Sequence, residues 1–328
     1  MTIAGIPTST RDDVLGALRD AEHFVLVTHE NPDGDALGSL VAMHGILTAL
    51  GKDSLMYISR EEFPLPYEYA FFGLDAIVGN DIPEDLAHRT IVFLDCGNFD
   101  RNAVEVGDVP ILNIDHHHDN TQFGSINYVV PDASCTAEIV WDLMSELDVE
   151  ATLPIAIALY VGLVTDTGKF MYENTGVRAH AMAAELIEAG VDVHAIYRHL
   201  YEGVPASKLA LLTRALNSVQ RYDDGRLTFA RLTREDFAQT GAEESYTEGI
   251  IDHLRSVEAT KVAALARERE DNSKVSLRAT DGSVDVSVIA RAQGGGGHRQ
   301  AAGFTTDMDP SELVAFLRAA VAEQLDAS

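Results

Sequence analysis

A histidine and two aspartates follow directly after a short apolar run near the start of the chain. The run, Phe-Val-Leu-Val at residues 24–27, predicts a buried strand, and an Asn-Pro-Asp-Gly turn sequence comes soon after it. Residues 36–50 then predict a helix. His29, Asp33 and Asp35 are therefore expected at the carboxyl end of a strand, which is where open α/β sheets bind their ligands.

Two further predicted strands end in side chains of the same kind. The apolar run at residues 91–94 is followed by Asp95, and the run at residues 110–114 is followed by Asp-His-His-His at residues 115–118. Because the carboxyl ends of parallel strands meet at one edge of a sheet, we expect these groups to lie together. Carboxylate oxygens with imidazole nitrogens suit manganese, magnesium or zinc.

Asp166 is a fourth candidate, after an apolar helix-like run at residues 153–161. Taken alone it would be interpreted as a helix-terminal cap, just as the first segment alone could be an Asx-rich loop with a structural histidine. One metal would not need so many ligands, whereas two metals that share a bridging carboxylate would. The combined pattern therefore favours a two-metal site.

The order and spacing of these residues resemble those of the DHH phosphoesterases. The matching motifs are, in chain order, His29-x-Asn-Pro-Asp33-Gly-Asp35, Asp95, Asp115-His116-His117 and Thr165-Asp166-Thr167-Gly168. Downstream, Gly-Gly-Gly-Gly-His-Arg-Gln-Ala-Ala-Gly at residues 294–303 resembles the signature of the associated DHHA1 domain. The resemblance covers nearly the whole chain, and it is similar to the bacterial oligoribonuclease and 3′-phosphoadenosine-5′-phosphate (pAp) phosphatase type.

The resemblance implies two divalent metal ions, with Mn²⁺ expected and Mg²⁺ or Co²⁺ as alternatives. The expected ligands form two sets that share Asp95: His29, Asp33 and Asp95 for the first metal, and Asp35, Asp95, His116 and Asp166 for the second. A hydroxide between the two metals would attack the phosphorus atom.

The family pattern also assigns roles around the metals. Asp115 is expected to orient His116, because a ligating imidazole usually donates its other N–H to a carboxylate or carbonyl. His117 resembles the position that touches the substrate phosphate, so Asp95, Asp115 and His117 are the expected catalytic residues. His118 is interpreted as a surface histidine.

Substrate-binding residues are expected in the second half of the chain. Glycines let the backbone approach an anion and expose N–H donors, so we assign this role to the glycine loop and its histidine: Gly295, Gly296, Gly297 and His298. Arg278 matches a family arginine that reaches the nucleotide, with an exposed strand-end arginine as the alternative. Arg101 is a further candidate, although a structural role is favoured for it and for Asn174, a predicted helix N-cap.

The fold class predicted from the pattern is α/β. Strand-like and helical segments alternate from residue 23 to about residue 190, which predicts a parallel sheet with helices on both faces. A helix-compatible stretch and a smaller α/β unit follow. The expected domains are a DHH catalytic domain at 1–190, a helical connector at 191–221 and a DHHA1 substrate-binding domain at 222–328.

Charge and composition restrict the classes of binding partner that we expect. The formal net charge is −28, and a polyanion gains nothing from counterion release along a nucleic acid, so we expect no long nucleic-acid track. Neither a signal peptide nor a membrane span is predicted, and two cysteines do not indicate a disulfide framework. A cytoplasmic protein without membrane contact is therefore expected, and the resemblance allows a homodimer.

The predicted function is two-metal-dependent hydrolysis of short oligoribonucleotides and of pAp. A cyclic-di-AMP or pApA phosphodiesterase with the same residues is the main alternative. A pyrophosphatase would share the first four motifs, but its second domain should lack the glycine-histidine signature. A nucleotide sensor that has lost catalysis is the alternative from a different functional class.

Overall fold

The computed structural model of the protein describes residues 9–79, 85–102 and 109–326. The chain divides into two compact units after Glu202. Within the described ranges, no helix combines the length and the apolarity needed to cross a bilayer.

The first unit is built on a six-stranded sheet in which every described pairing is parallel. Its strands are β1 (His23–Val27), β2 (Asp53–Tyr57), β3 (Ile77–Val78), β4 (Thr90–Leu94), β5 (Ile111–Asp115) and β6 (Ile126–Val129). The spatial order is β3-β2-β1-β4-β5-β6, so the chain reverses direction across the sheet between β1 and β4. That reversal is the topological switch point at which such sheets bind ligands.

Six helices accompany this sheet: α1 (Arg11–Asp20), α2 (Gly34–Ala49), α3 (Thr136–Glu146), α4 (Leu153–Asp166), α5 (Val177–Glu188) and α6 (Val193–Tyr201). Helices α2 and α4 approach closely because a glycine stands at their crossing. A Cβ atom added to Gly38 would lie 2.4 Å from the carbonyl oxygen of Ala158 and 2.9 Å from the backbone nitrogen of Gly162. Only glycine allows that backbone separation.

The helices cover one face of the first sheet, not both as predicted. All six contribute buried side chains to a single core together with Phe24 and Leu26 of β1. On the opposite face, Phe93 and its neighbours pack against Phe99, in a short 3-10 helix, and Phe123, in a loop, and none of the described residues forms an α-helix there. Aromatic side chains from these short segments therefore replace the second helical layer.

The second unit contains a mixed six-stranded sheet in the order β11-β12-β10-β9-β8-β7, in which only the β8–β9 pairing is parallel. Its elements are α7 (Ala206–Asn217), β7 (Gln220–Tyr222), β8 (Leu227–Leu232), α8 (Arg234–Thr240), α9 (Ile250–Arg255), β9 (Val262–Glu268), β10 (Ser273–Ala279), α10 (Val286–Arg291), β11 (Gly296–Gly297), β12 (Ala301–Thr306) and α11 (Pro310–Asp326). Two apolar cores flank the sheet, one with α10 and α11 and the other with α7 and α9.

Strand β10 shows strict alternation of burial. Val275 and Leu277 are fully buried, whereas Lys274, Ser276 and Arg278 are half-exposed. Since successive side chains of a strand point to opposite faces, one face of this strand belongs to the core and the other carries polar groups toward solvent.

The predicted α/β fold class is confirmed, and several element bounds differ from expectation. Helix α2 begins at Gly34, two residues earlier than predicted, and α4 continues to Asp166. The predicted connector at 191–221 holds α6 and α7, which lie in different compact units, and the start of β7.

Candidate active site

Asp95 lies at the centre of a polar cluster at the switch point. It directly follows β4, is 2% exposed, and has a φ of +58°, in the left-handed region that aspartate tolerates better than most residues. Its Oδ2 lies 3.5 Å from His29 Nε2, and its Oδ1 lies 3.6 Å from His116 Nε2 and from His117 Nδ1. The two carboxylate oxygens therefore face different histidines.

His29 is held by the loop that follows β1. Its Nδ1 lies 2.7 Å from the carbonyl oxygen of Glu30 and donates to it, which turns Nε2 toward Asp95. Arg101 is placed beside this ring, with Nη2 3.5 Å from His29 Nδ1, and its own carbonyl accepts from the Glu30 amide. The sequence-predicted Arg101 is therefore a neighbour of the cluster.

Asp33 is the N-cap of α2. Its Oδ1 accepts hydrogen bonds from the amides of Asp35 at 3.0 Å and Ala36 at 3.1 Å, which holds the carboxylate at the helix terminus. One ligand atom each from His29, Asp33 and Asp95 lies within 4.8 Å of the others. These are the three residues predicted for the first metal.

Asp35 lies in the first turn of α2 and is 1% exposed. The amides of Thr136 and Ala137, at the start of α3, donate to its two oxygens at 2.7 and 2.9 Å. The Thr136 hydroxyl donates to Asp95 Oδ1 at 2.9 Å. Asp35, Asp95 and His116 form a second group with ligand atoms within 4.8 Å of one another.

Asp166 completes the set predicted for the second metal. It is the last residue of α4, and its Oδ2 lies 3.6 Å from His116 Nε2, while His116 Nδ1 faces the Ala133 carbonyl at 3.3 Å. Asn174 donates from Nδ2 to Asp166 Oδ2 at 3.2 Å. The expected N-cap role of Asn174 is wrong, because Gly176 occupies that position of α5.

Asp115 orients His117 and not His116, which corrects the sequence-based expectation. His117 Nδ1 lies 2.7 Å from Asp115 Oδ1, and Asn120 donates to Asp115 Oδ2 at 2.6 Å. The reason is the alternation of side chains at the end of β5, which puts residues two apart on the same side. His116 is oriented by the Ala133 carbonyl instead.

The electrostatics of the cluster are unbalanced toward negative charge. Burial, together with Asp95 and Asp166, raises the pKa of Asp35 well above its usual range. Burial also raises the pKa of Asp166 to about 7. For Asp95, burial acts in the same direction, but the hydrogen bond with His29 and the charges of His117 and His116 outweigh it and lower the pKa well below normal. Three carboxylates compete here for positive charge.

The histidines respond in the opposite sense. Burial alone would lower the pKa of His116, but the carboxylates of Asp166, Asp95 and Asp35 raise it to about 10. Burial also opposes protonation of His117, and Asp115 outweighs it and raises the pKa. A divalent cation would relieve the repulsion among the carboxylates, and oxygen with imidazole donors is a set that such cations accept. The residues present therefore fit a metal site.

The predicted substrate-binding residues of the second unit lie on β10 and on the hairpin of β11 and β12. Arg278 is half-exposed on β10 and donates from Nη1 to the Leu277 carbonyl at 3.1 Å. The glycine sequence forms part of a hairpin instead of an irregular loop, since Gly296 and Gly297 pair with β12. A Cβ on Gly295 would lie 2.1 Å from the Gly303 carbonyl, so the backbones approach too closely for any side chain. The amide of His298 donates to the Ala301 carbonyl at 2.7 Å, which closes the hairpin turn.

Sequence reasoning missed Thr136 and Asn120, whose side chains bond the carboxylates of Asp95 and Asp115. Asn174, a weaker candidate with a structural role favoured, bonds Asp166. The Ser-Cys-Thr at residues 134–136 precedes a helix and signals only a helix start. Nothing in that signal indicates which carboxylates the helix start would meet.

Comparisons with known proteins agree with this fold. The family model described as the DHH family, N-terminal domain, matches residues 23–163, and the DHHA1 domain matches residues 225–326. The bifunctional oligoribonuclease and PAP phosphatase NrnA of Thermus thermophilus is 34% identical over 280 residues, covering 85% of this chain and 83% of that protein.

Two solved structures share the fold. An exopolyphosphatase-related protein from Bacteroides fragilis superposes with a TM-score of 0.85 at 24% identity and 96% coverage of both chains. RecJ from Thermus thermophilus, solved in complex with Mn²⁺, gives a TM-score of 0.55 at 17% identity, covering 97% of this chain and 55% of RecJ. The DHH and DHHA1 domains are thus found together, in order, across most of the chain. The chain belongs to the DHH family, with a DHHA1 domain that follows the DHH domain.

Proposed function

We propose that the protein hydrolyses short oligoribonucleotides and pAp with the help of two divalent cations. The observation that carries this proposal is the convergence of carboxylates and imidazoles from four separate segments of the first unit around Asp95. The substrate class is supported by the Thermus relative, whose name describes an oligoribonuclease and PAP phosphatase.

The proposed metal ligands are the two sets that share Asp95. His29, Asp33 and Asp95 would hold one cation, and Asp35, Asp95, His116 and Asp166 would hold the other. Mn²⁺ suits this donor set and is bound by the structural neighbour RecJ; Mg²⁺ and Co²⁺ are the other candidates. When bound, such cations would activate water and stabilise the charge that develops on the phosphoryl oxygens.

The protein's own groups then position the substrate. His117 is the proposed contact to the substrate phosphate, because it is buried beside Asp95 and Asp115 fixes its ring through Nδ1 at 2.7 Å. Asp115 acts through His117 and thus contributes to catalysis by orientation. Arg101, which neighbours His29, is a further proposed phosphate contact.

The second unit is proposed to bind the nucleotide. Arg278 can donate two parallel hydrogen bonds to a phosphate or stack on a base, and the half-exposed position of its side chain suits either role. The hairpin residues proposed to contact the substrate are Gly295, Gly296, Gly297 and His298. A cytoplasmic location and a homodimeric assembly remain predictions.

A hydrolysis panel in the presence of Mn²⁺ tests the proposal. It compares pAp, a linear di-adenylate, a five-residue oligoadenylate, cyclic di-adenylate and pyrophosphate. Turnover of pAp and of the short linear RNAs, with little turnover of the cyclic form, is expected. Faster cleavage of cyclic di-adenylate would assign a second-messenger phosphodiesterase, and faster cleavage of pyrophosphate would assign a pyrophosphatase. Binding without turnover, with any divalent metal, would indicate a sensor.

A further inference from the structure

Residues 133–137, which run into the start of α3, contact three of the four residues in the second predicted ligand set. The Ala133 carbonyl accepts from His116 Nδ1 at 3.3 Å. The Thr136 and Ala137 amides donate to Asp35. The Thr136 hydroxyl donates to Asp95. One five-residue segment thus reaches three ligands directly.

The fourth ligand is reached through Asn174. Its Nδ2 bonds the Ser134 carbonyl at 2.7 Å and Asp166 Oδ2 at 3.2 Å, so it links the same segment to the end of α4. Asn174 is itself exposed, unlike the carboxylate-binding atoms of α3.

The first predicted set is held in a different way. His29 bonds the carbonyl of the next residue, Glu30, and Asp33 accepts from the amides of Asp35 and Ala36 in its own helix start. These contacts span three residues of chain at most, whereas Thr136 and Asp35 are 101 residues apart. His29 and Asp33, which belong to the first set alone, are therefore held mainly by residues close in sequence, whereas Asp35 of the second set is held by a long-range contact.

Thr136 is the residue in this segment whose side chain itself bonds a ligand. It is fully buried, and its hydroxyl donates to Asp95 Oδ1, the oxygen that faces His116; Oδ2 faces His29. Its amide also donates to Asp35, with the favourable field of a helix N-terminus behind it. Thr136 thus fixes two carboxylates relative to each other.

We propose that residues 133–137 form a positioning template for the second cation, with Thr136 as the positioning residue that couples Asp35 to Asp95. The inference rests on the proposed two-cation function. It requires that loss of the Thr136 hydroxyl lowers the affinity for one cation much more than the affinity for the other, because only Oδ1 of Asp95 loses its donor. A merely structural Thr136 would affect both cations alike, through general loosening of the fold.

Calorimetric titration of the metal-free full-length chain with Mn²⁺ tests this asymmetry. Thr136→Val removes the hydroxyl and keeps the shape and the backbone amide. We expect one of two Mn²⁺ affinities to fall about tenfold or more, as is usual when a group behind a metal ligand is lost, and the other to change by less than about threefold. Thr136→Ser, which restores a hydroxyl, should restore the weakened affinity.

Thr228→Val is the matched control. Thr228 is also fully buried and its hydroxyl bonds that of Thr260 at 2.7 Å, but it lies on β8 of the second unit. Both Mn²⁺ affinities should remain unchanged in this variant. If Thr136→Val does not fold, Asn174→Ala provides the same test from an exposed position, and it should weaken the same cation.

Two sets of results would overturn the inference and leave the proposed function intact. One is wild-type affinity for both cations in Thr136→Val. The other is equal weakening of both cations that serine does not restore. If the wild-type chain binds no divalent cation, the proposed function fails and this inference fails with it.

Discussion

The two units hold their candidate functional groups in opposite environments. In the first unit, Asp35, Asp95 and His116 are buried, and each is fixed by hydrogen bonds from distant parts of the chain. In the second, Arg278 is half-exposed on one face of β10, and the fully buried Leu277 beside it belongs to the core. In a buried cluster, a substitution that alters the chemistry also alters the packing, because each functional group is part of the folded interior. On an exposed strand face, a residue can be substituted without disturbing the core.

Asp95→Asn should have the largest effect, because Asp95 belongs to both proposed ligand sets. Asparagine tolerates the left-handed backbone at φ +58°, so the backbone is preserved while the charge is lost. We expect Mn²⁺-dependent hydrolysis of pAp to fall by at least about 10³-fold, the scale seen when an obligatory electrostatic group is removed. Titration with Mn²⁺ should show that binding at both proposed cation sites is lost, because Asp95 belongs to both.

Asp224→Asn is the control for this change. Asp224 has a φ of +56° and is exposed in the hairpin between β7 and β8. The variant therefore makes the same substitution at the same backbone conformation, but outside the cluster. Its activity should equal that of wild type. Retained turnover in Asp95→Asn would break the comparison, since the buried cluster would then not be the site of chemistry.

Arg278→Ala should affect binding and leave folding alone. The loss of a charge-assisted hydrogen bond to substrate, worth about 1.5–3 kcal/mol, should raise KM about 10- to 100-fold with a much smaller change in kcat. The free energy of unfolding should change by less than about 0.5 kcal/mol, as for most surface substitutions. Steady-state kinetics on pAp and urea unfolding measure both quantities.

Arg318→Ala serves as the control for Arg278. Arg318 is an exposed arginine of α11 that pairs with Asp223, so its removal tests whether any surface arginine matters. KM should be unchanged in that variant. A fall in kcat at constant KM in Arg278→Ala would instead place Arg278 with the buried chemistry and remove the contrast between the units.

Gly38→Ala should loosen the packing that positions the cluster. The new methyl group would meet the Ala158 carbonyl oxygen at 2.4 Å, so α2 must move away from α4, and these helices carry Asp35 and Asp166. Overpacking of this kind costs about 1–3 kcal/mol of unfolding free energy. Urea unfolding measures the loss, and Mn²⁺ affinity should fall with it.

Gly16→Ala is the opposite change in the same unit. Gly16 lies inside α1 with nothing within 4 Å of an added Cβ, so alanine should stabilise by up to about 1 kcal/mol through its helix propensity. Equal effects of the two substitutions would show that the close approach of α2 and α4 is not what matters at Gly38.

The smallest expected effect belongs to an ion pair of the second unit. Lys261 at 2.6 Å and the Ser283 hydroxyl and amide hold the pKa of Asp281 at about 2. Because the folded pKa lies below the unfolded value, the stabilisation is present above pH 4 and is lost as the pH falls toward 2. Both side chains are more than a third exposed, so solvent screening limits it to less than about 1 kcal/mol.

Asp281→Asn should therefore be slightly less stable than wild type at pH 7 and equal to it near pH 2. Urea unfolding of the full chain at the two pH values provides the measurement. If the variant and wild type differ more in unfolding free energy at pH 2 than at pH 7, the pH dependence has the opposite sign, and the low pKa does not belong to Asp281.

The location of the cluster could be predicted from sequence because its signals are local. Long apolar runs predicted β1, β4 and β5, and the polar residues that follow each run had to meet at one edge of a parallel sheet. The structure brings His29, Asp95 and His116 to that edge. The α/β class followed from the same alternation of strands and helices.

The supporting contacts could not be predicted, because their donors carry no sequence signature. Every residue except proline has a backbone N–H, so the amino-acid sequence does not indicate that the amides of Thr136 and Ala137 bond Asp35. The Asp115–His117 pair follows from the alternation of side chains at the end of β5, whereas the expected Asp115–His116 pair would have needed adjacent residues on the same side. The lack of α-helices on the second face of the first sheet was not predicted, because aromatic residues such as Phe99 and Phe123 give no sequence signal that they cover a sheet face.

The proposed ligands are spread from His29 to Asp166, through most of the first unit and none of the second. Any cation that binds them acts as a cross-link that exists only while β1, α2, β4, β5 and α4 are all folded. Occupancy at a hundred times Kd would add about 2.7 kcal/mol to the stability of that unit by mass action, while the second unit would gain nothing directly. The melting temperature of the first unit should then rise with the Mn²⁺ concentration while that of the second unit does not, so the metal content of the surroundings sets the stability of only one of the two units.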